Sequence, residues 1–257
     1  MSQRPELDPP GPLARVLDDP RVAVAERDPR DVVPEVGLYP EEVAAIRQAV
    51  LSRRQQFTAG RQLARRAWQA LGRDPAPLLN DARRVPIWPS GLVGTITHTH
   101  SWCGAAVAFA SQVGGLGADV EASTPLDLPL WERVCRPEEQ TFLNARPEPL
   151  RGLLAKGIFS AKESIYKALY PSVRVFLDFQ GMSIALTEEG DATAERHAGP
   201  VGPTSPPITS RPAPPLGTQW AWHATLQVPW GPHAPGQRFG PGKLRIEPDL
   251  IVSGVVL

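Results

Sequence analysis

The residues LRGLLAKGIFSAKESIYKALYP, positions 150–171, decide how the rest of the chain is read. Leu154, Ile158, Ala161, Ile165 and Leu169 step by four, three, four and four, the repeat of one helix face turned toward a core. This spacing predicts a helix over 150–169. Lys156, Phe159, Glu163, Tyr166 and Lys167 form a second stripe. Glu163 sits about 200° around the helix from Ala161, so it points away from the buried face. Two readings of this stripe stand side by side. One is a solvated helix with a Glu163–Lys167 pair at i, i+4, worth ~0.2–0.5 kcal/mol. The other is a chemical face, with Glu163 as metal ligand or base and Lys162 or Lys167 on phosphate oxygens.

Upstream, three short strands are expected at Val93–His98, Ala105–Ala110 and Leu116–Glu121, punctuated by Gly and Ser-Gln. The third lies in GLGADVEA, 115–122. Side chains two apart on a strand share a face, so Asp119 and Glu121 point one way and Val120 points into the core. Two carboxylates ~7 Å apart on one strand face repel each other, and a hard divalent cation with oxygen ligands relieves that repulsion. Two solvated acids at a strand end are the alternative. The first strand lies in VGTITHTHSWC, 93–103. His98, His100 and Cys103 are zinc-type ligands, but their spacing matches no familiar zinc signature. His98 is better read as a hydrogen-bond donor to an anion, since imidazolium and phosphate pair well.

Pro40–Leu71 reads as helix with a gap near Ser52–Arg54, where Ser52 could cap a second helix. Arg53 and Arg61, eight residues apart, fall roughly on one face about 12 Å from each other. Leu130–Val134 and Glu138–Asn144 read as short helices. Val173–Phe179, Met182–Leu186, Trp220–Val228 and Leu250–Leu257 read as further strands. Between 197 and 217, seven of twenty-one residues are proline, which marks an exposed loop or linker.

The whole chain has 257 residues, with 27 Lys+Arg against 27 Asp+Glu and 42% hydrophobic residues. Zero net charge argues against general affinity for nucleic acid or anionic membrane. No apolar run of about 18 residues exists to span a bilayer, and the first residues lack the apolar core of a signal peptide. Two cysteines, Cys103 and Cys135, exclude a disulfide scaffold. A cytoplasmic protein is expected. Locally, however, charge separates. Residues 42–84 carry nine arginines against three acids, and residues 117–148 carry seven acids against three arginines. Such zones are either solvated faces or a site that holds a polyanion and a cation together.

The ordered set VGTITH, GADVE and FSAKESIYK, with RRQQFTAGRQLARRAWQALG (53–72) and RRVPIWPSG (83–91) upstream, resembles the 4′-phosphopantetheinyl transferases. The likeness is to the single-chain, pseudo-dimeric enterobactin type, and covers roughly residues 40–180. It departs at Ala118, where the family usually has a larger aliphatic residue. The resemblance implies an α+β fold: two similar α/β halves related by a pseudo-two-fold, each a small, mostly antiparallel sheet packed on a long helix. The halves are placed at 1–122 and 123–257, the first bearing the coenzyme A arginines and the second the catalytic helix.

The implied activity is transfer of the 4′-phosphopantetheine group of coenzyme A to a serine of an acyl, peptidyl or aryl carrier protein, with release of adenosine 3′,5′-bisphosphate. Carriers of fatty-acid, polyketide and nonribosomal-peptide (antibiotic or siderophore) pathways all fit. By the same motif match, Asp119, Glu121 and Glu163 hold Mg2+ (or Mn2+), with Glu163, Asp119 and Lys162 catalytic. Arg53, Arg61, Arg83, Thr97, His98, Asp119, Lys162 and Lys167 meet coenzyme A. A monomer is expected. The alternative is a non-catalytic module that binds coenzyme A or a carrier protein.

Overall fold

The computed structural model describes residues 11–189 and 218–257, so most of the chain but not the proline-rich stretch 197–217 lies within the described residues. In chain order the elements are α1 (Pro12–Val16), β1 (Val22–Arg27), α2 (Pro40–Ile46), α3 (Leu51–Ala70), β2 (Leu92–His98), β3 (Cys103–Phe109), β4 (Leu116–Ala122), α4 (Leu128–Val134), α5 (Pro137–Asn144), α6 (Glu148–Val173), β5 (Met182–Glu188), β6 (Gln219–Leu226), β7 (Arg238–Ile246) and β8 (Leu250–Val256). The strands form two antiparallel sheets, β1-β3-β2 and β4-β8-β7-β6-β5. Helix α3 packs on β3 and β1, and α6 packs on β4 and β8. The α+β class and the pairing of each sheet with a long helix agree with the sequence reading.

The apolar stripe of α6 is the core of the second half. Leu154, Ile158, Ala161 and Ile165 are fully buried, packed among Trp220, Trp222 and Leu244. In the first half Leu63, Trp68 and Val107 fill the space between α3 and its sheet. A third cluster joins the halves: Leu13, Val16 and Leu17 of the N-terminal segment pack with Ala106, Ala118 and Val252.

Strand β4 pairs with β8 along its whole length and so belongs to the second sheet. Three expectations need correction. The long N-terminal helix breaks at 47–50 with Val50 as the N-terminal cap, and Ser52 lies inside α3. The break lets α2 fold back, so that Glu42, wholly buried, accepts from Arg65 at 2.8 and 3.0 Å and from the Leu78 amide at 2.8 Å. Residues 173–179 are not a strand. Helix α6 runs on through Pro171 to Val173, and Arg174 stops it in the left-handed region at φ 58°. Beyond it, Val175 and Phe176 are 49% and 76% exposed and belong to none of the strands among the described residues. Strands β1 and β7 were missed; Gly240, Pro241 and Gly242 break the apolar pattern in the first half of β7. Among the described residues no helix is long and apolar enough to cross a membrane.

Candidate active site

Helix α6 approaches β4 as closely as backbones allow. A Cβ on Gly117 would lie 1.9 Å from the Ser164 carbonyl oxygen and 2.8 Å from the Ala168 amide nitrogen, so only glycine fits there. Buried serines line the rest of this seam. The Ser160 and Ser164 hydroxyls each meet that of Ser253, at 2.8 and 2.6 Å, and Ser160 also donates to the Asp119 carbonyl oxygen at 3.3 Å. Strand β2 crosses the other side. The Thr97 hydroxyl accepts from the Val120 amide at 3.0 Å, and the Thr95 hydroxyl accepts from the Ala118 amide at 3.3 Å. Both residues flanking Asp119 are therefore pinned, and the aspartate is set by its neighbours' backbone bonds.

Asp119 is 5% exposed. Its Oδ1 accepts from Lys167 at 2.7 Å, while its Oδ2 is buried and has no hydrogen-bond partner. Glu121 faces Lys156 at 3.8 Å. Burial, then the Asp119 charge, raises the proton affinity of Glu121, with Glu163 adding to it and Lys156 and Lys167 opposing. Burial raises that of Glu163 as well, with Lys167 opposing and Asp119 adding. The three carboxylates thus lie close enough to repel one another electrostatically. Among the described residues no three His, Cys, Asp or Glu side chains already converge in a metal-holding array; here the lysines lie against Asp119 and Glu121 instead. The donor set fits a hard cation nonetheless: all oxygen, mutually repelling, and with one orphaned buried carboxylate oxygen. Lysine contacts at two of the acids stand in for part of that charge.

Next to the acids lies a cleft of about 360 Å³ between the two halves. Arg53 and Arg61 of α3, Arg83 and Arg84 of the following loop, His98 of β2 and Lys167 of α6 line it, and among the described residues no carboxylate does. Arg61 is 4% exposed and donates only to neutral oxygens, Leu78 O at 2.8 Å and Asn80 Oδ1 at 2.7 Å, with its guanidinium 4.1 Å from the Phe57 ring centre. Burial pulls its pKa down to about 10, leaving it charged at neutral pH. A buried cation with neutral hydrogen-bond partners keeps its charge available to an anion, and the planar fork has the geometry of phosphate oxygens. Tyr166 forms part of the wall, stacked on Tyr170 and Trp230 at centroid distances of 4.8 and 5.7 Å. The ring stack was missed in the sequence, because Trp230 lies in a different element 64 residues away from Tyr166.

Three expected site residues are placed differently. Lys162 does not face the cleft. Its ammonium is buried, donating to Glu139 at 2.8 Å, Val134 O at 2.7 Å and Phe179 O at 2.9 Å. Lys162 falls next to the buried stripe, one residue after Ala161, whereas Lys167 falls on the open side beside Asp119. Thr97 turns its hydroxyl to β4, as described, and does not line the cleft. His98 lines it, but as a neutral ring. Burial, then Arg53 and Lys167, hold its pKa down to about 4. Arg53 can only donate, so the His98 Nε2, 3.0 Å from Arg53 Nη1, is the acceptor and the proton sits on Nδ1. The zinc alternative loses its thiol. Cys103 is fully buried against Gly60 of α3, and burial pushes its pKa up to about 12.

Comparison with known proteins joins the same two regions. Residues 41–108 match the family model of the 4′-phosphopantetheinyl transferase N-terminal domain, and residues 115–206 match that of the 4′-phosphopantetheinyl transferase superfamily. The chain is 38% identical over 163 residues to the 4′-phosphopantetheinyl transferase Svp of Streptomyces mobaraensis, covering 62% of this chain and 65% of that protein. It is 33% identical over 180 residues to the 4′-phosphopantetheinyl transferase PptT of Mycobacterium tuberculosis, covering 70% and 76%. It is 36% identical over 127 residues to enterobactin synthase component D of Salmonella typhi, covering 48% of this chain and about half, 51%, of the relative.

Proposed function

Given that the chain belongs to the 4′-phosphopantetheinyl transferase superfamily, we propose that it transfers the phosphopantetheine group of coenzyme A to a serine of an acyl, peptidyl or aryl carrier protein. The observation that carries this reading is the cleft lined by four arginines and a lysine with no carboxylate among the described residues, that lysine, Lys167, donating to Asp119 at 2.7 Å. The serine oxygen forms a bond to the phosphorus that bears pantetheine, the bridging P–O bond breaks, and adenosine 3′,5′-bisphosphate leaves with the bond's electrons.

Arg53, Arg61 and Arg83 hold the 3′-phosphate and diphosphate oxygens, which fixes the phosphorus for in-line attack. Lys167, between the acids and the cleft, neutralises charge at the diphosphate. The stacked Tyr166, Tyr170 and Trp230 wall off water. Asp119, Glu121 and Glu163 would hold a magnesium (or manganese) ion, which supplies Lewis-acid polarisation of the phosphate oxygens when bound. Glu163, or a water beside it, is the candidate acceptor for the serine proton: burial raises the carboxylate's proton affinity, and a bound cation would lower it again. Both halves of the site come from one chain, so the enzyme acts as a monomer, and we place it in the cytoplasm.

Incubation of apo carrier proteins with coenzyme A, magnesium and this protein, followed by mass spectrometry, tests the reading. The expected result is a mass gain of one phosphopantetheine group with matching release of the bisphosphate. Tight coenzyme A binding with no modified carrier would instead favour a binding module.

A further inference from the structure

At the mouth of the cleft, the end of helix α6 and the loop after α3 grip each other. Arg83 lines the cleft and uses Nη1 for two contacts, with the Arg174 carbonyl oxygen at 2.6 Å and the Tyr170 hydroxyl at 3.3 Å. Arg174 answers in the opposite direction: its guanidinium donates to Oδ2 of Asp81. Arg174 does not itself line the cleft.

Asp81 is the centre of the loop that carries Arg83. Its Oδ1 accepts from the amides of Arg83 and Val85, each at 2.9 Å. Its own amide donates to the Val85 carbonyl at 2.9 Å, and its carbonyl accepts from the Arg84 amide at 2.9 Å. Between those anchors Arg84 takes a left-handed conformation, φ 64°. A carboxylate that bonds both backbone amides flanking a residue with positive φ holds the turn in one shape. Asp81 therefore fixes the backbone from which Arg83 projects, and Arg174 fixes Asp81 to the second half of the molecule.

We infer that Asp81 and Arg174 are positioning residues that hold Arg83 across the cleft mouth for the phosphates of the bound polyanion. The inference rests on the cleft being the coenzyme A site. Both Arg83 contacts are to neutral oxygens through one nitrogen, so its charge and the other edge of its fork remain for phosphate. Without the Asp81–Arg174 pair, the hydrogen bonds from the loop to the end of α6 among the described residues are those of Arg83 itself, and Arg83 must then choose between holding the halves together and holding the ligand.

Arg174→Gly is the sharpest test. Glycine keeps the carbonyl that Arg83 bonds and suits the left-handed backbone, so the helix end survives; the side-chain bonds lost are the pair with Asp81 and a local bond from Nε to the Pro171 carbonyl oxygen at 2.8 Å. Asp81→Asn keeps an oxygen for the two loop amides while removing the charge toward Arg174. Each variant should weaken coenzyme A binding in calorimetry about fivefold, the upper range for an exposed ion pair, and raise KM for coenzyme A with kcat unchanged. In an Arg83→Ala background, Arg174→Gly should have no further effect, which a general loss of stability would not reproduce. Unchanged affinity in both single variants, or full additivity with Arg83→Ala, overturns the inference alone. Failure of the parent protein to bind coenzyme A at all would instead overturn the reading of the cleft, and this inference with it.

Discussion

Replacing Lys162 by Met should unfold the protein more readily rather than weaken its hold on substrate. The side chains of Lys162 and Glu139 are each 1% exposed. The ammonium has three oxygen partners, and Glu139 in turn accepts from the Arg136 and Ile184 amides at 2.7 and 2.6 Å. This one pair therefore ties α6 to the end of α4, the start of α5, the turn at Phe179–Gly181 and strand β5. Methionine fills much the same volume but leaves a buried carboxylate without its cation, at a cost of about 3–5 kcal/mol. Against a total stability of about 5–15 kcal/mol, that shifts the melting temperature down by roughly 10 °C. Thermal and urea unfolding at pH 7 measure it directly. Adding Glu139→Gln removes the stranded charge, and should recover a sizeable part of the loss. The reasoning fails if Lys162→Met melts within about 1 °C of the parent while its KM for coenzyme A rises many-fold. That result would put the ammonium on the diphosphate after all.

Other tests address the acids, the histidine and the buried arginine. Magnesium should raise the melting temperature of the parent but not of Asp119→Asn, while Glu163→Gln without metal should be at least as stable as the parent, since it relieves repulsion with Asp119; a metal-induced rise in Asp119→Asn would contradict the assignment. His98 should titrate near pH 4 by NMR in the free protein, and adenosine 3′,5′-bisphosphate should raise that midpoint; an ordinary midpoint near 6.5 would show that the ring is not held neutral. The unfolded chain takes up this proton near 6.5 and the folded one only near 4, so His98 lets stability fall as pH drops through that window and leaves it unaffected above. Arg61→Lys cannot reach both Leu78 O and Asn80, and should weaken coenzyme A binding about tenfold or more by calorimetry; an unaltered affinity would remove Arg61 from the phosphate site.

The parts legible in the sequence were those whose signal is local. A 4-3-4-4 stripe on α6 can only be one buried face, and it was. Alternation at Asp119-Val120-Glu121 placed both acids on one side of β4. What escaped was set by partners far along the chain. Lys162 and Lys167 look alike in FSAKESIYK, and only the position of Glu139, 23 residues back, shows that one is a buried strut and the other a cleft residue. Thr97 and His98 are adjacent, yet strand alternation sends one hydroxyl to β4 and one ring to the cleft. That difference is legible from the period-2 alternation of a strand. Asp81, two residues ahead of Arg83, carried the signature of a side chain capping its own turn, though nothing in the sequence placed Arg174 opposite it.

The same geometry explains why the acids and the arginines must be on different halves. Carboxylates on the arginine-lined wall would pair with the guanidiniums and neutralise them, as Glu42 does to Arg65 in the core. By bringing Asp119 up beside the cleft from β4, with Gly117 letting α6 close in from behind, the fold keeps the two charge sets adjacent and joined through Lys167, which lines the cleft and donates to Asp119. Each set then stays electrostatically unsatisfied: Arg61 held by neutral oxygens, and the Asp119 Oδ2 with no partner. A ligand that is itself a polyanion carrying a divalent cation satisfies both at once, and a ligand with only one of those charges satisfies neither fully. Binding of the polyanion and of the cation should therefore be mutually strengthening, each raising the affinity of the other by the same factor.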